Sequence, residues 1–270
     1  MNRGKKIVLK MFVYFSVLSV LIPIMVIAIW SVSGRWAWPQ LFPDSFSLRG
    51  INELFGGYSG AVQVLGSSIA ISLIVALLAV IIGVMTARAL VFYDFRGKSL
   101  VSFGVILPII IPSTVFAMGI HVLFIKMGLS DTVLGVIIVH LICSLPYAIK
   151  IITDMTAVIG KKLEEQASVL GATPGQILKD ITIPCLLPGL ISSASLAYII
   201  SFGQYFITLI IGGGSVKTFS MLMVPYLQSG DRTVASAYSM VFICSTLIIF
   251  IVLEKTANKF NKNGNGGFFA

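Results

Sequence analysis

Three observations predict an all-α membrane protein with about six transmembrane helices. Hydrophobic residues make up 57% of the 270-residue chain, charged residues only 11%, and mean hydropathy is +1.01. The apolar residues gather in six runs, each close to the ~20 residues a helix needs to cross a hydrocarbon core. Lysine and arginine are spread unevenly over the loops between those runs. A soluble protein carries about 25% charged residues. A particle with less than half that cannot cover its surface with polar groups. Disordered, disulfide-scaffold and ordinary cytosolic enzyme classes are therefore excluded. Helix is preferred over strand because no ten-residue alternating pattern of a membrane barrel is present.

The runs fall at about 8–31, 62–87, 100–125, 132–152, 186–211 and 233–253, in one transmembrane domain over 1–270. The first follows Arg3, Lys5, Lys6 and Lys10 as a signal peptide would, but it is too long for one. It also meets Trp30, Trp36 and Trp38, an interfacial aromatic belt, so it reads as an uncleaved span. The third run is broken by Pro108 and Pro112, and the fourth carries Pro146. The fifth is LLPGLISSASLAYIISFGQYFITLII.

The net charge of +9 reads as topology rather than as affinity for nucleic acid. With six crossings, 14 of the 19 basic residues share one side with both termini. The positive-inside rule makes that side cytoplasmic. Cys143, Cys185 and Cys244 lie in or beside apolar runs and are read as small buried hydrophobes, with no disulfide and no metal ligation.

Between the fourth and fifth spans lies the longest loop on the basic side, and long loops in compact proteins usually have a task. Leu163, Ala167 and Leu170 repeat at helical spacing, and Ile177 and Ile181 keep that phase past a break at 171–174. Gly171 suits a helix end, Thr173 an N-cap and Pro174 a helix start. The loop thus predicts two short helices with a bend, packed on the protein's own spans or offered to a partner.

The stretch resembles the EAA signature of permease subunits of bacterial binding-protein-dependent ABC importers. In that signature Glu-Ala-Ala is followed after three residues by Gly and after nine more by Ile-x-Leu-Pro. Here Glu165-Gln166-Ala167, Gly171 and Ile181-Thr182-Ile183-Pro184 keep every spacing, with Gln166 for Ala and Ile183 for Leu. The resemblance implies a type I importer permease fold, with a cytoplasmic coupling helix in the loop 157–184. It implies a second permease subunit, homo- or heterodimeric, two ATPase subunits and an extracytoplasmic solute-binding protein, in a bacterial inner membrane. Glu165, Gln166, Ala167, Leu170, Gly171, Ala172, Thr173 and Pro174 would form the ATPase-coupling surface. Glu165 would meet a basic residue of the ATPase, and Ala167 and Leu170 would give apolar contact. ATP and magnesium would be bound by the partner, and no cofactor is expected in this chain.

Later segments narrow the branch. Ser201-Phe-Gly-Gln-Tyr-Phe-Ile-Thr208 and Ser229–Ser239 are similar to permeases serving polyamines, ferric iron, phosphonates and thiamine, more than to those for sugars. The stretch GGGSVKT at 212–218 fails the spacing of a phosphate loop, so no nucleotide site and no enzyme activity is expected.

Polar residues inside spans either line a path or bond neighbouring helices. The candidates are Ser67, Ser68, Ser113, Thr114, His121, His140, Ser144 and Tyr198, with both histidines read as structural. In the fifth span Ser201, Gln204, Tyr205 and Thr208 fall at i, i+3, i+4, i+7, one helical stripe, and are the candidate substrate path. A stand-alone secondary transporter or an intramembrane enzyme would need inverted repeats, buried ionisable relays or a metal motif, and none is seen.

Overall fold

The computed structural model describes residues 3–36, 40–56 and 60–264. Trp38 of the expected belt lies outside them. The chain divides into two compact units, Met1–Gln63 with Leu222–Ser245, and Val64–Met221 with Thr246–Ala270.

The first unit opens with α1 (Arg3–Ser31), whose apolar part Val8–Ser31 has a mean hydropathy of 2.6. A short antiparallel hairpin follows, β1 (Ser33–Arg35) with β2 (Ser45–Phe46), then α2 (Arg49–Phe55) and the start of α3 (Ala61–Phe92). The second unit holds the rest of α3, then α4 (Lys98–Ile110), α5 (Ser113–Met127) and α6 (Val133–Ile159). Next come α7 (Lys162–Val169), α8 (Pro174–Ile177), a π-helical turn at Leu178–Thr182, α9 (Ile183–Phe202) and α10 (Phe206–Gly212). The last two helices, α11 (Phe219–Ser229) and α12 (Arg232–Gly264), run through both units.

Five helical segments are long and apolar enough to cross a membrane. A sixth appears if α4 and α5 count as one, but these are bent by 109°. Pro112 explains the bend: it has no N–H to continue the helix and disfavours helical backbone at Ile111, which is extended at ψ 128°. The 100–125 run is thus two helices.

The core of the second unit is built from α3, α5, α6, α10 and the turn after α10. Ile71, Val75, Ala117, Phe124, Val136, Val139, Ile207, Ile211 and Val216 form one buried cluster. The helix α6 packs on α4, α9 and α10, and half of its spanning window is buried. Cys143, Cys185 and Cys244 are free thiols.

The 186–211 run is also two helices, which corrects the reading of one stripe. Helix α9 stops at Phe202, and Gln204 N–H donates 3.2 Å to Ser201 O in a tightened last turn. Tyr205 then starts α10. Ser201 and Thr208 are buried, while Gln204 and Tyr205 are half-buried on the connecting segment.

Candidate coupling and path sites

The loop between α6 and α9 takes the predicted first short helix and bend, but the second helix is not separate: α8 continues through the π-helical turn into α9 as one helical span, Pro174–Phe202. Helix α7 ends in a Schellman arrangement: Ala172 N–H donates 3.0 Å to Ala167 O and Gly171 N–H donates 3.0 Å to Ser168 O. That closure puts Gly171 at φ +88°, a left-handed backbone that glycine adopts without a Cβ penalty. Thr173 then caps α8 in a reciprocal box with Gln176: its N–H donates 2.8 Å to Gln176 Oε1, and Pro174 sits at the first helical position. Pro184 offers no N–H to Asp180 O, and the turn before it widens, with Ile183 N–H reaching back to Leu178 O.

The residues expected to form a coupling surface divide into two faces. Glu165, Gln166 and Leu170, with Lys162 and Val169, line one shallow depression of about 560 Å³. Val169 and Leu170 are each 87% exposed. Ala167 is different: at 8% exposed it packs inward. This corrects its expected role as an outward apolar contact. The expected stripe is cut short, because the helix ends at Val169: Leu163 and Ala167 stand one turn apart on α7, while Leu170 lies past its end and turns outward.

A cluster missed by the sequence reading fastens this loop to α3. Arg88 Nη1 and Nη2 donate 2.5 and 2.9 Å to the two carboxylate oxygens of Glu164. Thr182 Oγ1 donates 2.6 Å to Glu164 Oε1 from the π-helical turn. Lys161 Nζ donates 3.2 Å to Phe92 O and lies over the Phe92 and Tyr93 rings, and the Arg88 guanidinium also stands over Phe92. The Glu164 side chain is only 19% exposed. The Arg88 hydrogen bonds hold its carboxyl below the usual carboxylate range, with Thr182 and the Lys161 charge adding to the shift against burial. The only sequence signal was Arg88 itself, a charge at the end of a long apolar run.

In the path region the structure brings Ser201 and Thr208 together on His140. His140 is fully buried, with Nδ1 2.9 Å from Ser201 Oγ and Nε2 2.9 Å from Thr208 Oγ1. Thr208 spends its own proton on Gln204 O at 2.9 Å. With that proton on Gln204 O, Nε2 is the protonated nitrogen and Nδ1 accepts from Ser201; with Ser220 alone serving the carbonyl, the two ring nitrogens exchange roles. Ser220 Oγ also donates to Gln204 O, at 2.6 Å. The carbonyl freed by the end of α9 is thus satisfied twice by hydroxyls. The side chains of Gln204 and Tyr205 make no hydrogen bond among the described residues. Ser68 accepts from Phe219 N–H, Ser144 bonds back to His140 O, and His121 lies 3.2 Å from Ser130 Oγ. Tyr198 is buried with its hydroxyl unpaired among the described residues. No group of three or more His, Cys, Asp or Glu among the described residues could hold a metal ion.

Comparison with known proteins gives this arrangement its context. The model of the family "binding-protein-dependent transport system inner membrane component" matches residues 79–258, two thirds of the chain. A Salmonella typhi protein named for 2-aminoethylphosphonate transport, the system permease protein PhnV, is 28% identical over 241 residues, covering 88% of this chain and 90% of its own. The spermidine/putrescine transport system permease protein PotC of Haemophilus influenzae is 27% identical over 216 residues, 80% of this chain and 84% of its own. Among solved structures, a bacterial ABC transporter involved in import of the acidic polysaccharide alginate superposes with a TM-score of 0.71 at 20% identity, over 94% of this chain and 98% of that one. An alginate transporter in complex with an alginate pentasaccharide-bound periplasmic protein gives 0.68 at 15%, over 97% and 99%. The relatives are transport system permease proteins and not enzymes. The chain belongs to the binding-protein-dependent transport system inner membrane components, the multi-pass permeases of ABC importers.

Proposed function

We propose that this chain forms half of a solute translocation path and passes the work of a separate ATPase to it through α7, the 170–173 turn and α8. The observation that carries this reading is the pairing of a fastened inner face with an open outer face on one short helix. Glu164 and Ala167 tie α7 to the body, while Glu165, Gln166, Val169 and Leu170 are presented to solvent. A push on the outer face is then transmitted to α3 through the Arg88–Glu164 pair rather than absorbed by a loose loop. The basic-residue bias supports a cytoplasmic position for this loop and both termini.

The assembly would hold a second permease, homo- or heterodimeric, two ATPase subunits that bind ATP and magnesium, and a solute-binding protein on the opposite side. This chain would bind no cofactor. The solute is a small polar or charged molecule of the polyamine, ferric iron, phosphonate or thiamine kind, in line with the names of PhnV and PotC. Gln204 and Tyr205, whose side chains the fold leaves unused, would face it, with Ser201 and Thr208 holding the segment that carries them.

Leu170→Glu tests the docking role. Membrane insertion should be normal while co-purification of the ATPase and transport are both lost; retained co-purification refutes it. A thermal-shift screen of the cognate binding protein against polyamines, phosphonates, ferric iron, thiamine and sugars tests the solute class. Stabilisation by a sugar alone would replace that reading with a sugar importer.

A further inference from the structure

The first unit contains a cationic cradle that takes no part in coupling or in the path. It is an open cavity of about 660 Å³ whose lining includes Arg35, Arg49, Arg232, Trp30, Trp36 and Asp231. Three guanidiniums thus face one carboxylate among the lining residues. That carboxylate is already engaged: Asp231 Oδ1 accepts from Arg49 Nη2 at 2.6 Å and from Val234 N–H at 3.3 Å. Arg232 lies 5.3 Å above the Trp30 ring, which stacks on Trp36 at 4.7 Å. Arg35 has no ionic partner among the described residues.

The walls are firmly built. Thr233 Oγ1 donates 2.9 Å to Ser33 O, joining the start of α12 to β1. Gly50 of α2 lies so close to Thr233 O and Ala237 that a Cβ there would stand 2.8 and 2.9 Å from them.

We propose that this cradle binds the phosphate of an anionic phospholipid headgroup. Its level in the membrane favours a lipid over a free solute. The apolar run Val8–Ser31 ends beside Trp30, and the run Arg232–Thr256 begins at Arg232, so the cavity sits where two spans leave the hydrocarbon. Tryptophan settles at that depth, and arginine there pairs with phosphate through its two-pronged donors. The surplus of two positive charges selects an anionic headgroup over a zwitterionic one. The stacked indoles of Trp30 and Trp36 line the site beside the guanidiniums and offer apolar surface to the glycerol and first methylenes. On the topology proposed above, the cavity lies at the face opposite the cytoplasm.

The chain's own fluorescence reports on the site, because its three tryptophans all fall within 30–38. The full chain would be placed in phosphatidylcholine nanodiscs containing a fixed minor fraction of lipid brominated near the carbonyl end of its chains. Brominated phosphatidylglycerol should quench tryptophan emission more strongly than brominated phosphatidylcholine at the same fraction. Arg35→Gln should weaken that preference about fivefold, and Arg35→Gln with Arg232→Gln should abolish it. Arg35→Gln leaves the Arg49–Asp231 pair in place and decides the matter if the double variant fails to fold. Equal quenching by the two lipids, or an undiminished preference in Arg35→Gln, overturns the proposal. A shift of emission by millimolar inorganic phosphate in pure phosphatidylcholine discs, lost in Arg35→Gln, would also overturn it by assigning the cradle to free oxyanions.

Discussion

Arg88 and Glu164 lie 76 positions apart and meet in a two-pronged ion pair, with 2.5 and 2.9 Å contacts on a carboxylate only 19% exposed. Planar guanidinium on carboxylate is the strong form of such a pair. Arg88→Gln should free α7 from α3 and cost roughly 1–3 kcal/mol, more than a surface pair and less than a fully buried one. Arg88→Lys keeps the charge but loses the fork, so it should fall between. Protease cleavage within 161–173, followed in detergent over time, reads the effect. Equal cleavage of all three proteins would remove this pair as the fastening.

The same contact makes the attachment pH-dependent in one direction. The folded-state pKa of Glu164 is depressed, so its contribution is complete above the ordinary carboxylate pKa of about 4.3. It is lost as pH falls through the lower folded value. Protection of the loop should be flat around neutrality and should collapse only in acid. Glu164→Gln should show weakened protection at pH 7 and a smaller change on acidification. A wild-type transition near neutrality would contradict the assignment.

Thr208→Val keeps the shape of the side chain and removes the hydroxyl that bonds His140 and Gln204 O. It leaves a buried imidazole nitrogen without its hydrogen-bond partner, at a cost of about 1–3 kcal/mol. Ser220→Ala removes one of two donors to the same carbonyl and should cost less, since Thr208 still serves it. Detergent melting of the two variants beside wild type gives the order, and the reverse order would show that the His140 bonds are not the ones that matter.

Gly171→Ala forces a Cβ into backbone at φ +88°, though space around the site is open. The expected cost is about 1–2 kcal/mol, from backbone strain alone. Gly171→Asn should be milder, because asparagine tolerates that region. The comparison separates strain from crowding: equal losses in Ala and Asn variants would point to contact with a neighbour instead.

The short-range grammar of the loop between α6 and α9 was legible in the sequence. Gly171, Thr173 and Pro174 act within four residues of themselves, so local propensity decides them. The choice between Glu164 and Glu165 was not legible. Adjacent helical residues point about 100° apart, and which one turns inward is set by Arg88 on another helix and Thr182 on a later turn. The path stripe failed for a related reason. Spacing at i, i+3, i+4, i+7 is a face only while the helix lasts, and α9 ends at Phe202 between the first and second members. What holds the break is remote: His140 and Ser220 come from other segments. Pro112, by contrast, announced its bend in the sequence, and only the size of the 109° turn had to be observed.

Helix α1 stands under a different kind of constraint from the rest. None of its most apolar window is buried within the chain, and even Ser16 and Ser19 return their protons to its own backbone carbonyls. Among the described residues, no side chain of that window is enclosed as Val136 and Val139 are in α6. Within this chain, exchanges among leucine, isoleucine, valine and phenylalanine along that window alter oiliness without opening a cavity, whereas the same exchanges at Val136 and Val139 of α6 change packed volumes.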